Sequence, residues 1–181
     1  MAADFSAPGS VPDIPWATPS AWEEANVSLN HALQIHGPAL SGARIHSRQI
    51  RSLLESAREL TGDLCSATCP HCPEPCCAHA KVWLDFRDLL FLHLERLPIP
   101  PTQLRSGQEG SCLYLGHRGC LLDRLSRPFV CFWYFCPPQT LRLSRMPREK
   151  KILLDQAIST IKTHRKAMED AFIQAVAGKY P

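Results

Sequence analysis

Apolar residues recur at helical spacing through the first sixty positions. Trp22, Leu29, Ala32 and Leu33 share one stripe ahead of Gly37-Pro38, and Ile50, Leu53, Leu54, Ala57 and Leu60 share another. Side chains three and four apart lie on one face of a helix, so two amphipathic helices are predicted. Ser20 offers a hydroxyl to the first turn of the first helix, which runs to His36. Gly62 suits the left-handed residue that closes the second. Joined by a short turn, the two are expected to form an antiparallel pair. Pro8, Pro12, Pro15 and Pro19 make residues 1–19 a lead-in without regular structure.

The pattern changes after Cys65. Five cysteines and three prolines between Cys65 and Ala80 exclude a continuous helix and suggest knuckle turns. Lys81 to Asp85 reads as a short strand. Asp85 then caps a helix carrying Phe86, Leu89, Leu90, His93, Leu94 and Leu97, closed by Pro98. Cys112-Leu-Tyr-Leu and Cys120-Leu-Leu flank Gly116-His117-Arg118-Gly119, the signature of a β-hairpin. If Leu115 pairs with Cys120, Cys112 falls opposite Asp123 and the two cysteines point to opposite faces unless a bulge intervenes. Pro138 ends an aromatic stretch, and from Pro147 a long helix runs to about Gly178, burying Leu154, Ile158, Ile161, Met168 and Phe172. The expected class is mostly α, with helices packed around an irregular cysteine-rich metal-binding core and a short hairpin. Its parts are the lead-in 1–19, a helical pair 20–64, the cysteine region 65–138 and the long-helix region 139–181, within one compact domain.

Length and charge narrow the function classes. A chain of 181 residues buries a core without disulfide staples. The N-terminal stretch has neither the basic nor the apolar region of a signal peptide, and no apolar run is long enough to cross a membrane. A cytoplasmic, reducing location is therefore expected, where clustered cysteines serve metal or redox chemistry more often than disulfides. The net charge of +3 is too small to indicate nucleic acid. Nine basic against four acidic side chains from Thr140 onward place +5 there and −2 before it. The basic C-terminal helix thus offers a surface for a protein partner, although a solvated helix face accounts for it more simply.

All nine cysteines lie between Cys65 and Cys136. The order is Cys69-x2-Cys72-x3-Cys76-Cys77, then Cys112-x7-Cys120, then Arg127-Pro128-x2-Cys131-x4-Cys136. Thiolates are soft anionic ligands for zinc and iron–sulfur clusters, and a C-x2-C turn aims two at one ion. Cys65 stands outside this pattern. The remaining eight, Cys69, Cys72, Cys76, Cys77, Cys112, Cys120, Cys131 and Cys136, form the candidate ligand pool. Adjacent cysteines diverge in most backbone conformations, which suits two tetrahedral zinc sites dividing Cys76 and Cys77 between them. The alternative is an iron–sulfur cluster held by Cys69, Cys72 and Cys76 with Cys136-Pro137 as the remote ligand, although the second gap is one residue longer than in ferredoxins. Aromatic residues Phe132 to Phe135 would then keep water from the centre. Arg127, fixed beside Pro128, and Arg118 are candidate counter-charges. His71, His79 and His117 are weaker candidate ligands, and His31, His36, His46, His93 and His164 read as ordinary helix or surface residues.

From Cys65 to Pro137 this constellation resembles the zinc- or iron-chelating cysteine-cluster family (YkgJ-like). The resemblance implies that Cys69, Cys72, Cys76-Cys77, Cys112, Cys120, Arg127-Pro128, Cys131 and Cys136 belong to a chelating site. The segment Cys69 to Asp85, with Trp83, also resembles the start of flagellin lysine-N-methylases. Those proteins are much longer, and no glycine-rich stretch here would serve a nucleotide-like methyl donor, so their activity is not carried over. The expected function is a metal-binding protein holding zinc or an iron–sulfur cluster, for metal handling, electron transfer or structure. The alternative is a cluster-dependent redox or group-transfer enzyme acting on a protein or small molecule. No P-loop, Rossmann fingerprint or HExxH motif occurs, and the sequence favours binding over catalysis.

Overall fold

The computed structural model describes residues 14–107 and 110–178. Its frame is a pair of long helices, α2 (Ser41–Thr68) and α7 (Arg148–Ala177). They run antiparallel: Ala171 faces Gly42 near the start of α2, and His164 meets His46 one turn further on, Nδ1 to Nδ1 at 3.0 Å. Ile50 and Ala57 from α2 and Ile161 and Met168 from α7 are buried in the common core. Each large aliphatic side chain removed from water there contributes about 1.5–3 kcal/mol.

The helical class predicted from the sequence holds, with seven α-helices and one two-stranded antiparallel sheet among the described residues. The predicted pairing within the N-terminal segment does not. Helix α1 (Pro19–Ile35) packs on α4 (Phe86–Leu94), while α2 gives its stripe to α7. The reason is length: α2 and α7, of 28 and 30 residues, cover each other over several turns, with Leu154, Ile161, Met168 and Phe172 of α7 buried. Helix α1 is capped two residues earlier than expected, by Thr18, whose hydroxyl accepts from the Ala21 N–H at 3.2 Å. The end of the lead-in is anchored as well: Ile14 is buried and Trp16 lies against Trp22, ring centroids 6.3 Å apart. Residues 1–13, where the rest of that expectation falls, lie outside the described residues.

Helix α2 does not stop at Gly62 but continues to Thr68. A glycine inside a helix costs about 1 kcal/mol, which packing along a helix of this length outweighs. The extra six residues carry Cys65 and Thr68 into the cysteine region.

Lys81 to Asp85, expected as a short strand, is irregular and pairs with no strand among the described residues. Its backbone groups are met by a side chain instead. The Gln103 carboxamide oxygen accepts from the Leu84 and Leu104 N–H groups at 2.8 and 2.9 Å. Its nitrogen donates to the carbonyls of Leu84 and Pro15 at 3.1 and 3.0 Å. Asp85 caps α4 as expected, in a reciprocal capping box with Asp88. The hairpin β1 (Leu115–Gly116) and β2 (Gly119–Cys120) has the predicted register, Leu115 opposite Cys120. Two short helices complete the chain: α5 (Val130–Trp133) and α6 (Pro137–Ser144). The second is absent from the sequence reading, because a double proline reads as a stop, whereas here Pro137 opens the first turn.

Candidate metal centre

Eight of the nine cysteines line one cavity of ≈ 610 Å³. They come from every part of the middle segment: the end of α2 (Cys65), the 3-10 turn after it (Cys69), the following loop (Cys72), the single-turn helix α3 (Cys76–His79), β2 (Cys120), α5 (Cys131) and the residue before α6 (Cys136). Chain elements separated by up to seventy residues thus turn thiols toward one space.

Local geometry explains how each arrives. Cys69 follows Cys65 by one helical turn, its N–H bonded to the Cys65 carbonyl, so both sulfurs share a helix face. Gly119 lets the hairpin come close to that turn. Its φ of +108° suits glycine, and a Cβ there would stand 3.1 Å from Cys69 Cβ. The Cys112 N–H donates to the Cys77 carbonyl at 2.9 Å, tying the hairpin approach to α3. Cys136 caps α6: its sulfur accepts from the Gln139 N–H while the Gln139 carboxamide accepts from the Cys136 N–H at 3.3 Å.

The thiols divide electrostatically. Cys65 is held down to about 5, chiefly by a hydrogen bond from the Cys69 thiol and then by Arg124 and Arg127, against the opposing effect of burial. Cys69 is correspondingly raised. Cys76 is lowered to about 6 by a hydrogen bond from the Cys77 thiol, with help from backbone N–H groups of Cys77 and Cys76, and Cys77 is raised. Burial pushes Cys131 up to about 12, with Cys120 and Cys112 adding to the shift. The cavity therefore holds two proton-sharing thiol pairs, and a buried thiol, Cys131, kept neutral. The adjacent Cys76 and Cys77 thiols, expected to diverge, interact as a hydrogen-bonded pair.

Three other expectations change. Cys65, outside the sequence pattern, faces the same cavity as the candidate ligands. Cys112 does not line it; it is buried behind the cavity wall, near Cys120 and Cys76. The strands are only two residues long, so hairpin pairing ends before Cys112 and the chain turns it into the core. His71, His79 and His117 are all exposed and none lines the cavity. Among the described residues no group of three or more His, Cys, Asp or Glu side chains is drawn together as a ready metal site.

Arginines surround the thiols. Arg58, Arg118, Arg124 and Arg127 all line the cavity. Arg127 directs its Nε to the Leu122 carbonyl at 3.1 Å. The direct bond to sulfur comes from Arg124, whose guanidinium donates to Cys65 Sγ at 3.3 Å and to the Thr61 hydroxyl at 3.0 Å. Its plane also lies over the Phe132 ring, 5.9 Å from the centroid. Gln139 is a further buried donor to Cys65, at 3.5 Å. Neither Arg124 nor Gln139 stands out in the sequence. The only signal for them is that Cys65 lies one turn before Cys69, and that signal is hidden if Gly62 is taken as a helix stop. The aromatic wall is split: Phe132 is buried and stacks on Phe129 with centroids 6.1 Å apart, whereas Trp133 and Tyr134 are exposed.

The fold and cavity define a class in structural terms, a helical frame carrying one thiol-lined, arginine-rimmed cavity. No family model, curated protein or solved structure matches this chain. No helix of the described residues is long and apolar enough to cross a membrane.

Proposed function

We propose that this protein binds a metal centre, zinc or an iron–sulfur cluster, through the thiols of the large cavity, as its resemblance to the YkgJ-like cysteine-cluster family implies. One observation carries the reading: eight cysteines from separate elements line a single cavity. Core cysteines acting as small hydrophobes would scatter through the interior, and disulfides would pair them, yet all nine are free thiols. The donor set fits either metal, since thiolate is the preferred ligand of both zinc and iron–sulfur clusters. Cys65 and Cys69, and Cys76 and Cys77, each share a proton that a metal ion would replace. Cys72, Cys120, Cys131 and Cys136 supply the remaining thiols, and Cys112 backs them from the core. Arg124 and Arg127 offset the thiolate charge that burial would otherwise make costly. A bound centre would supply electron transfer if it is a cluster, and cross-linking of the middle segment in either case.

Purification without oxygen, followed by metal and acid-labile sulfide analysis, tests the proposal. A brown protein absorbing near ~400 nm with iron and sulfide identifies a cluster. A colourless protein with stoichiometric zinc identifies thiolate zinc sites. Protein that takes up neither metal, with all nine thiols freely titratable under zinc or iron–sulfide reconstitution, would end the proposal.

A further inference from the structure

A second, open cavity of ≈ 360 Å³ lies on the other side of the wall formed by Val82 and Val130, which line both cavities. Three elements build it. The segment after α3 contributes Lys81, Val82, Trp83 and Asp85. The single turn α5 contributes Trp133, while its Cys131 faces the cysteine cavity. From α7, Lys162 and Arg165 arrive one turn apart on the same face.

The charges here are unevenly used. Arg165 is buried and holds both carboxylates of the cleft, Asp88 at 2.6 Å and Asp85 at 2.8 and 2.9 Å, while stacking 4.9 Å above the Phe129 ring. Arg87 is engaged by Glu169 at 2.7 Å. Lys81 and Lys162 have no carboxylate partner among the described residues, and both are exposed. Lys162 instead lies over the Trp133 ring, 5.0 Å from its centroid. The cleft thus combines two tryptophans with two ammonium groups that have no carboxylate partner, while its two acids are both held by Arg165.

We propose that this cleft is a binding site for a planar heteroaromatic anion of the nucleoside monophosphate class. The base would stack on the tryptophan faces, and the phosphate would meet Lys81 and Lys162. The volume falls within the range of small-molecule sites, and aromatic stacking of a base contributes enough to weaken binding about tenfold or more when one platform is lost. A bare anion site would not need the tryptophans. An apolar site would not leave two lysines at its rim. The proposal does not rest on the metal centre.

The test is calorimetric titration of the full-length chain, as purified, with adenosine 5′-monophosphate, adenosine and inorganic phosphate. Saturable binding of the monophosphate is expected, with adenosine and phosphate each about tenfold or more weaker. Trp133→Leu should weaken monophosphate and adenosine alike, and Trp133→Phe should restore most of the affinity. The double variant Lys81→Gln, Lys162→Gln alters only exposed side chains. It should bring the monophosphate down to the affinity of adenosine and leave adenosine unchanged. The proposal is overturned by the absence of saturable binding at millimolar monophosphate. Phosphate binding as tight as the monophosphate would overturn it too, as would affinity indifferent to the lysines.

Discussion

At the scale of single residues, the cysteine cavity is a set of thiols with unequal protons. Cys65 and Cys76, held near 5 and 6, are ionised at neutral pH in the metal-free protein, while Cys131, near 12, is not. Since the thiolate is the nucleophile, iodoacetamide at pH 7 should modify Cys65 and Cys76 before Cys131, and peptide mapping by mass spectrometry reads the order. Cys69→Ala should slow alkylation of Cys65 more than Arg124→Gln does, because the Cys69 thiol is the larger cause of the shift. Equal rates at all three sites would refute this division. A second residue-scale prediction concerns Gln103, buried and using both ends of its carboxamide on main-chain groups. Gln103→Leu keeps the bulk but strands two N–H donors and two carbonyls. Each buried group left unpaired costs about 1–3 kcal/mol, so a loss of about 3 kcal/mol or more is expected in denaturant unfolding. A change below about 1 kcal/mol would mean that water replaces the carboxamide.

Between elements, the decisive connection is the pin that joins α4, α5 and α7. Asp88 completes the capping box of α4 by accepting from the Asp85 N–H, accepts from the Phe129 N–H at 3.0 Å ahead of α5, and pairs with Arg165 of α7. Burial nevertheless pushes its carboxyl up to about 6, because desolvation outweighs the pull of Arg165. The folded state therefore binds a proton more tightly than the unfolded state, whose carboxyl titrates near 3.8. Stability from this group is fully present below about 4 and is lost as pH rises through about 6, by an amount on the order of 2–3 kcal/mol. Asp88→Asn removes the titration while Arg165 keeps Asp85. The difference in melting temperature between variant and wild type should then shift in favour of the variant between pH 4 and pH 7. A difference that does not vary over this range would show that the pair is fully ionised throughout. The same scale explains why the predicted helical pair does not form: which stripe covers which depends on matching lengths across the whole chain, and the spacing within one stripe carries no such information.

For the whole molecule, a long antiparallel helix pair carries the stability and an irregular segment carries the chemistry. Residues 69–80 and 112–136, on either side of α4 and its core, form only four-residue helices, single 3-10 turns and two-residue strands, and bury few large apolar side chains. Removal of metal by a chelator should therefore raise hydrogen exchange across residues 69–80 and 112–136 while α2 and α7 stay protected. Unchanged protection in both segments would show that packing alone orders them and that the thiols are not holding a metal.

What the sequence determined by itself was local: the long C-terminal helix, the Asp85 cap, the hairpin register at Leu115 and Cys120, and the gathering of thiols between Cys65 and Cys136. Each follows from periodicity, capping chemistry or turn residues acting over a few positions. Tertiary structure decided the rest. It carried α2 past Gly62 and so brought Cys65 and Arg124 together, turned Cys112 into the core, set the three histidines outside, and placed Trp83 of the segment after α3 in one cleft with Lys162 of α7. These outcomes depend on which distant surfaces bury each other. That free energy belongs to pairs of segments far apart in the chain, so no window of sequence contains it.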